Sequence, residues 1–197
     1  MRTFQRVCIA FLLCLSFSVS AGKPPQELVE SVAGQTIERI KKDKDKIKAE
    51  PLYVNKLIDE LVLPHFDFQR MSRWVLGKYW RKATPDQRER FINEFKNLLI
   101  RTYANSLLEY SDQELIYLPF RGALDAKEVT VRSEIEQPGG FPIPITYKLH
   151  KPDNDWIVFD VLIDDVSLVS NYRSSFSRQI RSKGLDALIK KLSLKNK

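Results

Sequence analysis

Residues 74–110 read WVLGKYWRKATPDQRERFINEFKNLLIRTYANSLLEY, and the second half of this stretch has the spacing of one long helix. Thr84 can cap it, Pro85 suits its first turn because φ is fixed and an N–H is missing, and Gln87 completes a T-x-x-Q capping box. Phe91, Phe95, Leu98, Leu99, Thr102, Tyr103, Ser106, Leu107 and Tyr110 recur at three- and four-residue intervals and so share one face. Arg88, Glu89, Asn93, Glu94, Lys96, Asn97 and Arg101 fall mostly elsewhere. Just ahead, Trp74, Val75, Leu76, Tyr79 and Trp80 add bulk around Gly77. So wide an apolar wall either fills a core or lines a cavity. Every amphipathic helix buries one face, so periodicity alone leaves both readings open.

The amino terminus reads as a targeting segment. Arg2 and Arg6 precede an apolar run from Val7 to Phe17, and Val19-Ser20-Ala21 ends in small residues, which predicts a signal peptide over residues 1–21. The run is too short to span a bilayer. Leu13 and Leu15 flank Cys14, an unsuitable setting for lipoprotein acylation. Cys8 and Cys14 leave with the peptide, so residues 22–197 offer no disulfide and no thiolate metal site. They are enough for a single domain with one good core. Loss of the two arginines lowers the formal charge from +7 to +5. That excess suits anionic partners or membrane surfaces and is spread too evenly to argue for nucleic acid.

Helical spacing covers Pro24 to Lys48, a second short helix after Pro51, and a third from His65-Phe66-Asp67-Phe68 through Trp74. The run KKDKDKIKAE over 41–50 reads as a solvated helix end. At Ser111 the period falls to two. Leu115–Phe120, Val129–Ile135 and Ile143–Leu149 read as strands joined by Gln137-Pro138-Gly139-Gly140 and similar turns. Trp156 to Ile163, WIVFDVLI, is apolar on both faces apart from Asp160 and marks the most buried strand. Helix returns at Ser167, breaks at Gly184 and resumes at Leu185. Helices, then an antiparallel meander, then closing helices predict an α+β fold. Its sheet of four to five strands would be curved, wrapped by helices and cone-like, either filled or enclosing a deep apolar pocket.

Little in the chain points to catalysis. His65 and His150 fall in different kinds of element, and there is no G-x-S-x-G elbow, H-E-x-x-H pair or glycine-rich phosphate loop. His150 reads as a surface residue at a strand end. Asp160 is the acidic residue to weigh, because an ionised carboxylate in that strand needs solvent, a cation or backbone N–H partners. Asp164-Asp165 reads as a turn. The basic carboxy-terminal region, with Arg173, Arg178, Arg181, Lys183, Lys190 and Lys191, reads as solvated surface first and as a docking or membrane-proximal patch second.

Three stretches carry a resemblance: VLGKYWRKATPDQRERFINEFKNLL at 75–99, DNDWIVFDVLIDDVSLVSNYRSSF at 153–176 and RSKGLDALIKKL at 181–192. In that order and spacing the chain resembles the MlaC, or toluene-tolerance auxiliary, family of periplasmic phospholipid-binding proteins. The resemblance implies helices covering a curved sheet around a pocket for acyl chains. It also implies transit across the Gram-negative periplasm, between an MlaA-like outer-membrane lipoprotein complex and an inner-membrane ABC transporter with an MlaD-like lipid-binding ring. This traffic would maintain outer-membrane lipid asymmetry. No cofactor is implied. Asp164-Asp165 stands where Glu-Gly is expected before V-S-L, which bears on a loop and not on the pocket.

For the pocket lining this reading selects Val75, Leu76, Tyr79, Phe95, Leu99, Tyr103 and Leu107 from the helices. From the sheet side it selects Tyr147, Phe159, Val161, Val166 and Leu168. Other readings stay open: a carrier of another apolar lipid such as a hopanoid, a small enzyme using Asp160 or His65 as a base, or an adaptor with a filled core.

Overall fold

The computed structural model describes residues 23–109, 112–123 and 125–196. The expected signal peptide, and Tyr110 at the end of the helical stripe, lie outside the described residues.

The amino-terminal helical region is α1 (Pro25–Lys42), α2 (Lys44–Ala49) and α3 (Tyr53–Leu61), followed by a 3-10 turn at Leu63–His65. The single helix expected over 24–48 breaks at Asp43. That carboxylate pairs with Arg39 at 2.6 Å and accepts from the Tyr53 hydroxyl at 2.9 Å, which folds the charged run back on itself. Then come α4 (Phe68–Leu76), α5 (Lys78–Lys82) and the long α6 (Pro85–Glu109). The capping box is present: Gln87 N–H donates to Thr84 Oγ1 at 3.1 Å, and Thr84 N–H to Gln87 Oε1 at 3.0 Å. At 25 residues α6 is about 37 Å long, enough to serve more than one core. Its stripe divides accordingly. Phe91, Phe95, Leu98 and Leu99 pack with α4, α7 (Leu168–Lys183) and α8 (Leu185–Asn196), whereas Ala104 packs with Val54 and Ile58 of α3.

Five strands form one open antiparallel sheet in the order β1 (Leu115–Tyr117), β2 (Glu128–Ile135), β3 (Ile143–His150), β4 (Ile157–Ile163) and β5 (Val166–Ser167). The first strand is shorter than the alternation suggests, ending at Tyr117 rather than Phe120. Asp164 and Asp165 form the two-residue turn between β4 and β5, both at positive φ (49° and 59°). Paired positive φ is the geometry a tight hairpin asks for, and Asp tolerates it better than a branched residue would.

The strand β4 carries a bulge. Leu149 pairs with Val158 and Lys148 with Asp160, so Phe159 is inserted and turns outward together with Asp160. Phe159 then meets the Trp74 ring edge-on, with centroids 5.2 Å apart, under the Arg70 guanidinium. Asp160, only 3% exposed, accepts from Ser167 Oγ at 2.7 Å and from Val169 N–H at 3.2 Å, with Lys148 Nζ at 3.8 Å. The carboxylate thus ties β5 and the first turn of α7 to β4.

Asp160→Ala leaves the Val169 N–H without its partner and should cost about 3 kcal/mol. We expect the thermal midpoint to fall by about 10 °C. An unchanged midpoint would show that Asp160 does not hold α7 to the sheet.

Candidate functional site

Register places one continuous set of side chains on the inner face of the sheet. Val129 faces Leu149, Val131 faces Tyr147, Ser133 faces Ile145, and Ile135 faces Ile143. Val161 and Ile163 extend the Tyr147 and Ile145 rows across β4, and Tyr117 extends the Ser133 row onto β1. Apart from hydroxyl groups this face is hydrocarbon. Leu28 and Val29 of α1, Phe66, Tyr103 of α6 and Leu168 of α7 pack against it.

Burial is uneven along the strands. Near the β3–β4 turn Leu149 is fully buried, with Val129, Trp156 and Val158 close to it in burial. At the other end Ile135, Ile143 and Ile163 are only half-buried, and so is Tyr147. The face is therefore sealed at one end and partly open at the other. Burial is also the main cause that raises the tyrosine pKa values. Tyr103 is pushed up to about 12, with Tyr172 adding to the effect. Tyr117 is raised by burial and then by neighbouring Tyr147 and Glu30. Tyr147 is raised by burial against a smaller opposing contact with Ser133. All three hydroxyls stay neutral and can donate or accept within the hydrocarbon wall. Among the described residues no helix is long and apolar enough to cross a membrane, and no group of His, Cys, Asp and Glu is arranged to hold a metal ion.

A family profile described as MlaC protein matches residues 30–194. The chain belongs to the MlaC family. It is 26% identical over 183 residues to the toluene tolerance protein ttg2D of Pseudomonas putida, covering 92% of this chain and 85% of that one. It is 27% identical over 189 residues to the intermembrane phospholipid transport system binding protein MlaC of Haemophilus influenzae, covering 94% and 87%. A solved phospholipid-binding protein from Ralstonia solanacearum, in complex with a phospholipid, superposes with a TM-score of 0.81 at 32% identity, over 88% of this chain and 97% of that one.

Within this MlaC-family fold the residues expected from sequence do not all meet. Tyr103, Tyr147, Val161 and Leu168 come together at the inner face. Val75, Leu76, Phe95 and Leu99 lie in the helical core, between 0% and 8% exposed, with half-buried Tyr79 against them. Leu107 packs with α3. Phe159 faces the opposite side of the sheet because the bulge turns it outward. Val166 is 55% exposed, since it follows a two-residue turn on the edge strand. Val129, Val131, Ile135, Ile143 and Ile145, absent from that selection, share the inner face. Their strict alternation in β2 and β3 already carried the signal.

A cavity of about 630 Å³ adjoins the sealed end, lined by Leu28, Val32 and Trp156 together with the polar Lys23, His65 and Asp155. Among the described residues no hydrogen bond orients the His65 imidazole, and Asp160 is engaged with Ser167 and Val169. His150 is not a surface residue. It is 8% exposed, its Nε2 lies 2.9 Å from Asp67 Oδ2, and its ring meets Phe159 edge-on. Asp67 also caps α4 by accepting from Arg70 N–H at 2.8 Å, and its own N–H donates to the Val158 carbonyl.

Burial, and secondarily the Lys23 ammonium, hold His65 below its ordinary imidazole value of about 6.5. The folded state therefore resists a proton that the unfolded chain accepts. This contribution to stability is intact above about pH 6.5 and lost progressively below it. His65→Gln should flatten the fall in thermal midpoint between about pH 7 and about pH 5. Identical slopes for the two proteins would remove His65 from that account.

Proposed function

We propose that this chain is a periplasmic phospholipid carrier that holds acyl chains against the inner face of its sheet. The observation that carries the reading is the hydrocarbon inner face left half-covered at Ile135, Ile143, Tyr147 and Ile163. A filled core would cover such residues, whereas a lipid site leaves them available. The phospholipid held by the Ralstonia solanacearum relative and the transport role in the name of the Haemophilus influenzae relative support the same reading.

Burial energetics shape how such a carrier works. Two acyl chains hold about 25–30 methylenes, and at about 0.8 kcal/mol each their burial offsets more than about 20 kcal/mol of exposure to water. Release into water is then negligible, and transfer happens at a docked partner. The partners we propose are an MlaA-like outer-membrane lipoprotein complex and an inner-membrane ABC transporter with an MlaD-like ring. Traffic between them maintains outer-membrane lipid asymmetry. The amino-terminal signal peptide delivers the chain to the periplasm, and the carrier performs no covalent chemistry.

The direct test is mass spectrometry of organic extracts from protein purified out of a periplasm without detergent. Stoichiometric phospholipid is the expected result. A hopanoid or other apolar lipid would replace the phospholipid assignment, and an empty extract from folded protein would overturn the carrier reading. Substitutions sharpen the location. Ile143→Asp places a carboxylate on the half-buried part of the face and should lower lipid occupancy by at least about tenfold with the fold retained. Full occupancy in that variant would move the lipid away from β3.

A further inference from the structure

Two stretches of the chain contain no acidic residue: 68–85, which spans α4, α5 and the approach to α6, and 166–185, which spans β5 and α7. They hold nine lysines and arginines, five in the first and four in the second, while all 25 acidic residues lie elsewhere. The fold sets these stretches side by side, with α4 running along α7. The Arg173 guanidinium crosses the α4–α5 joint so closely that a Cβ on Gly77 would lie 3.2 Å from its Nη2. Among the described residues only Arg70 of the nine takes part in an ion pair, with Glu128. Arg73, Arg81, Arg173, Arg178 and Arg181 are exposed and unneutralised.

A cluster this one-sided is not the mixed-sign surface found on α6, where Arg90 sits between Asp86 and Asp186. Its exposed polar groups are hydrogen-bond donors, including Ser170 and Ser174 beside the arginines. In its midst Trp74 remains 40% exposed, one edge on Phe159 and its ring under the Arg70 guanidinium. Arginine and serine donors suit phosphate oxygens. Clustered cations are drawn to anionic lipid. An exposed indole beside them suits the head-group layer, which is wet on one side and apolar on the other. An acidic protein surface would match the charge, but it offers Trp74 no comparable amphipathic layer.

We propose that the face formed by α4, α5 and α7 docks on the surface of anionic phospholipid bilayers. Its arginines and Trp74 are not among the residues packed on the inner face, to which α7 contributes only Leu168 at its first turn, so the face can engage a membrane whether or not the inner face holds a ligand.

Flotation of the full mature chain with vesicles tests this. Vesicles of phosphatidylcholine and phosphatidylglycerol should retain the protein at low salt and release it as salt rises, and pure phosphatidylcholine vesicles should not retain it. The triple variant Arg173→Gln, Arg178→Gln, Arg181→Gln should weaken retention on the order of 100-fold, since each cation near an anionic surface contributes roughly fivefold. Arg173 packs on Gly77, so Arg73→Gln with Arg81→Gln provides a second variant on the neighbouring helices that should weaken retention in the same direction. Lipid occupancy in periplasmic extracts should be unchanged in both, which separates docking from carriage. Absence of wild-type binding to anionic vesicles, or undiminished binding by both variants, would overturn the proposal. Capture of the wild type by an acidic protein partner alone, with no vesicle binding, would also overturn it.

Discussion

The single inserted residue in β4 governs where nearly everything else lies. Without it, Phe159 would point inward and Asp160 outward by simple alternation, and β4 would present one apolar face. With it, two consecutive side chains turn outward, and the strand is buried on both sides. Phe159 becomes the seat for Trp74 and Arg70 of α4, and Asp160 becomes the anchor for the start of α7. Asp67 adds a third link, binding the α4 cap to His150 and to the β4 backbone. The helical bundle is therefore secured chiefly to β4, with further ties to His150 of β3 and Glu128 of β2, and the inner face is left to hydrocarbon.

This arrangement separates two apolar tasks that look identical in composition. The cluster of Phe91, Phe95, Phe176 and Leu188 is closely packed, with rings 5.8 to 6.3 Å apart, and supplies stability. The inner face keeps side chains that the protein does not cover fully. The two regions meet at Phe66 and Tyr103, which contact both. A carrier needs both kinds of surface: without the first the fold would depend on cargo, and without the second there would be nothing to hold cargo.

Much of the fold was legible in the sequence because local rules and tertiary structure agree there. The capping box at Thr84 and Gln87 forms as expected, the change of period after residue 111 marks the start of the sheet, and Gly184 separates the last two helices. The family was legible in three ordered motifs. The arrangement of the candidate site was legible only in part. WIVFDVLI is apolar on both parities, so no alternation revealed the bulge that sends Phe159 outward. The stripe on α6 has one period but three partners, and spacing cannot tell Leu99 in a filled core from Tyr103 beside the inner face. His150 looked exposed because its partner, Asp67, is distant in sequence.

The sheet is also held unevenly along its length. Links on its outer side gather where Glu128, His150 and Phe159 meet α4, and among the described residues none reaches the far turn, where Phe141 stands 94% exposed. Mechanically the ties to α4 sit at one end of the sheet, and the far end is held by its own strand pairing. Flexure at that end would widen the space beneath Ile135 and Ile143 and leave the ladder of backbone hydrogen bonds paired. A sheet held this way would meet a change in the bulk beneath it by flexure, with the ties to α4 left in place.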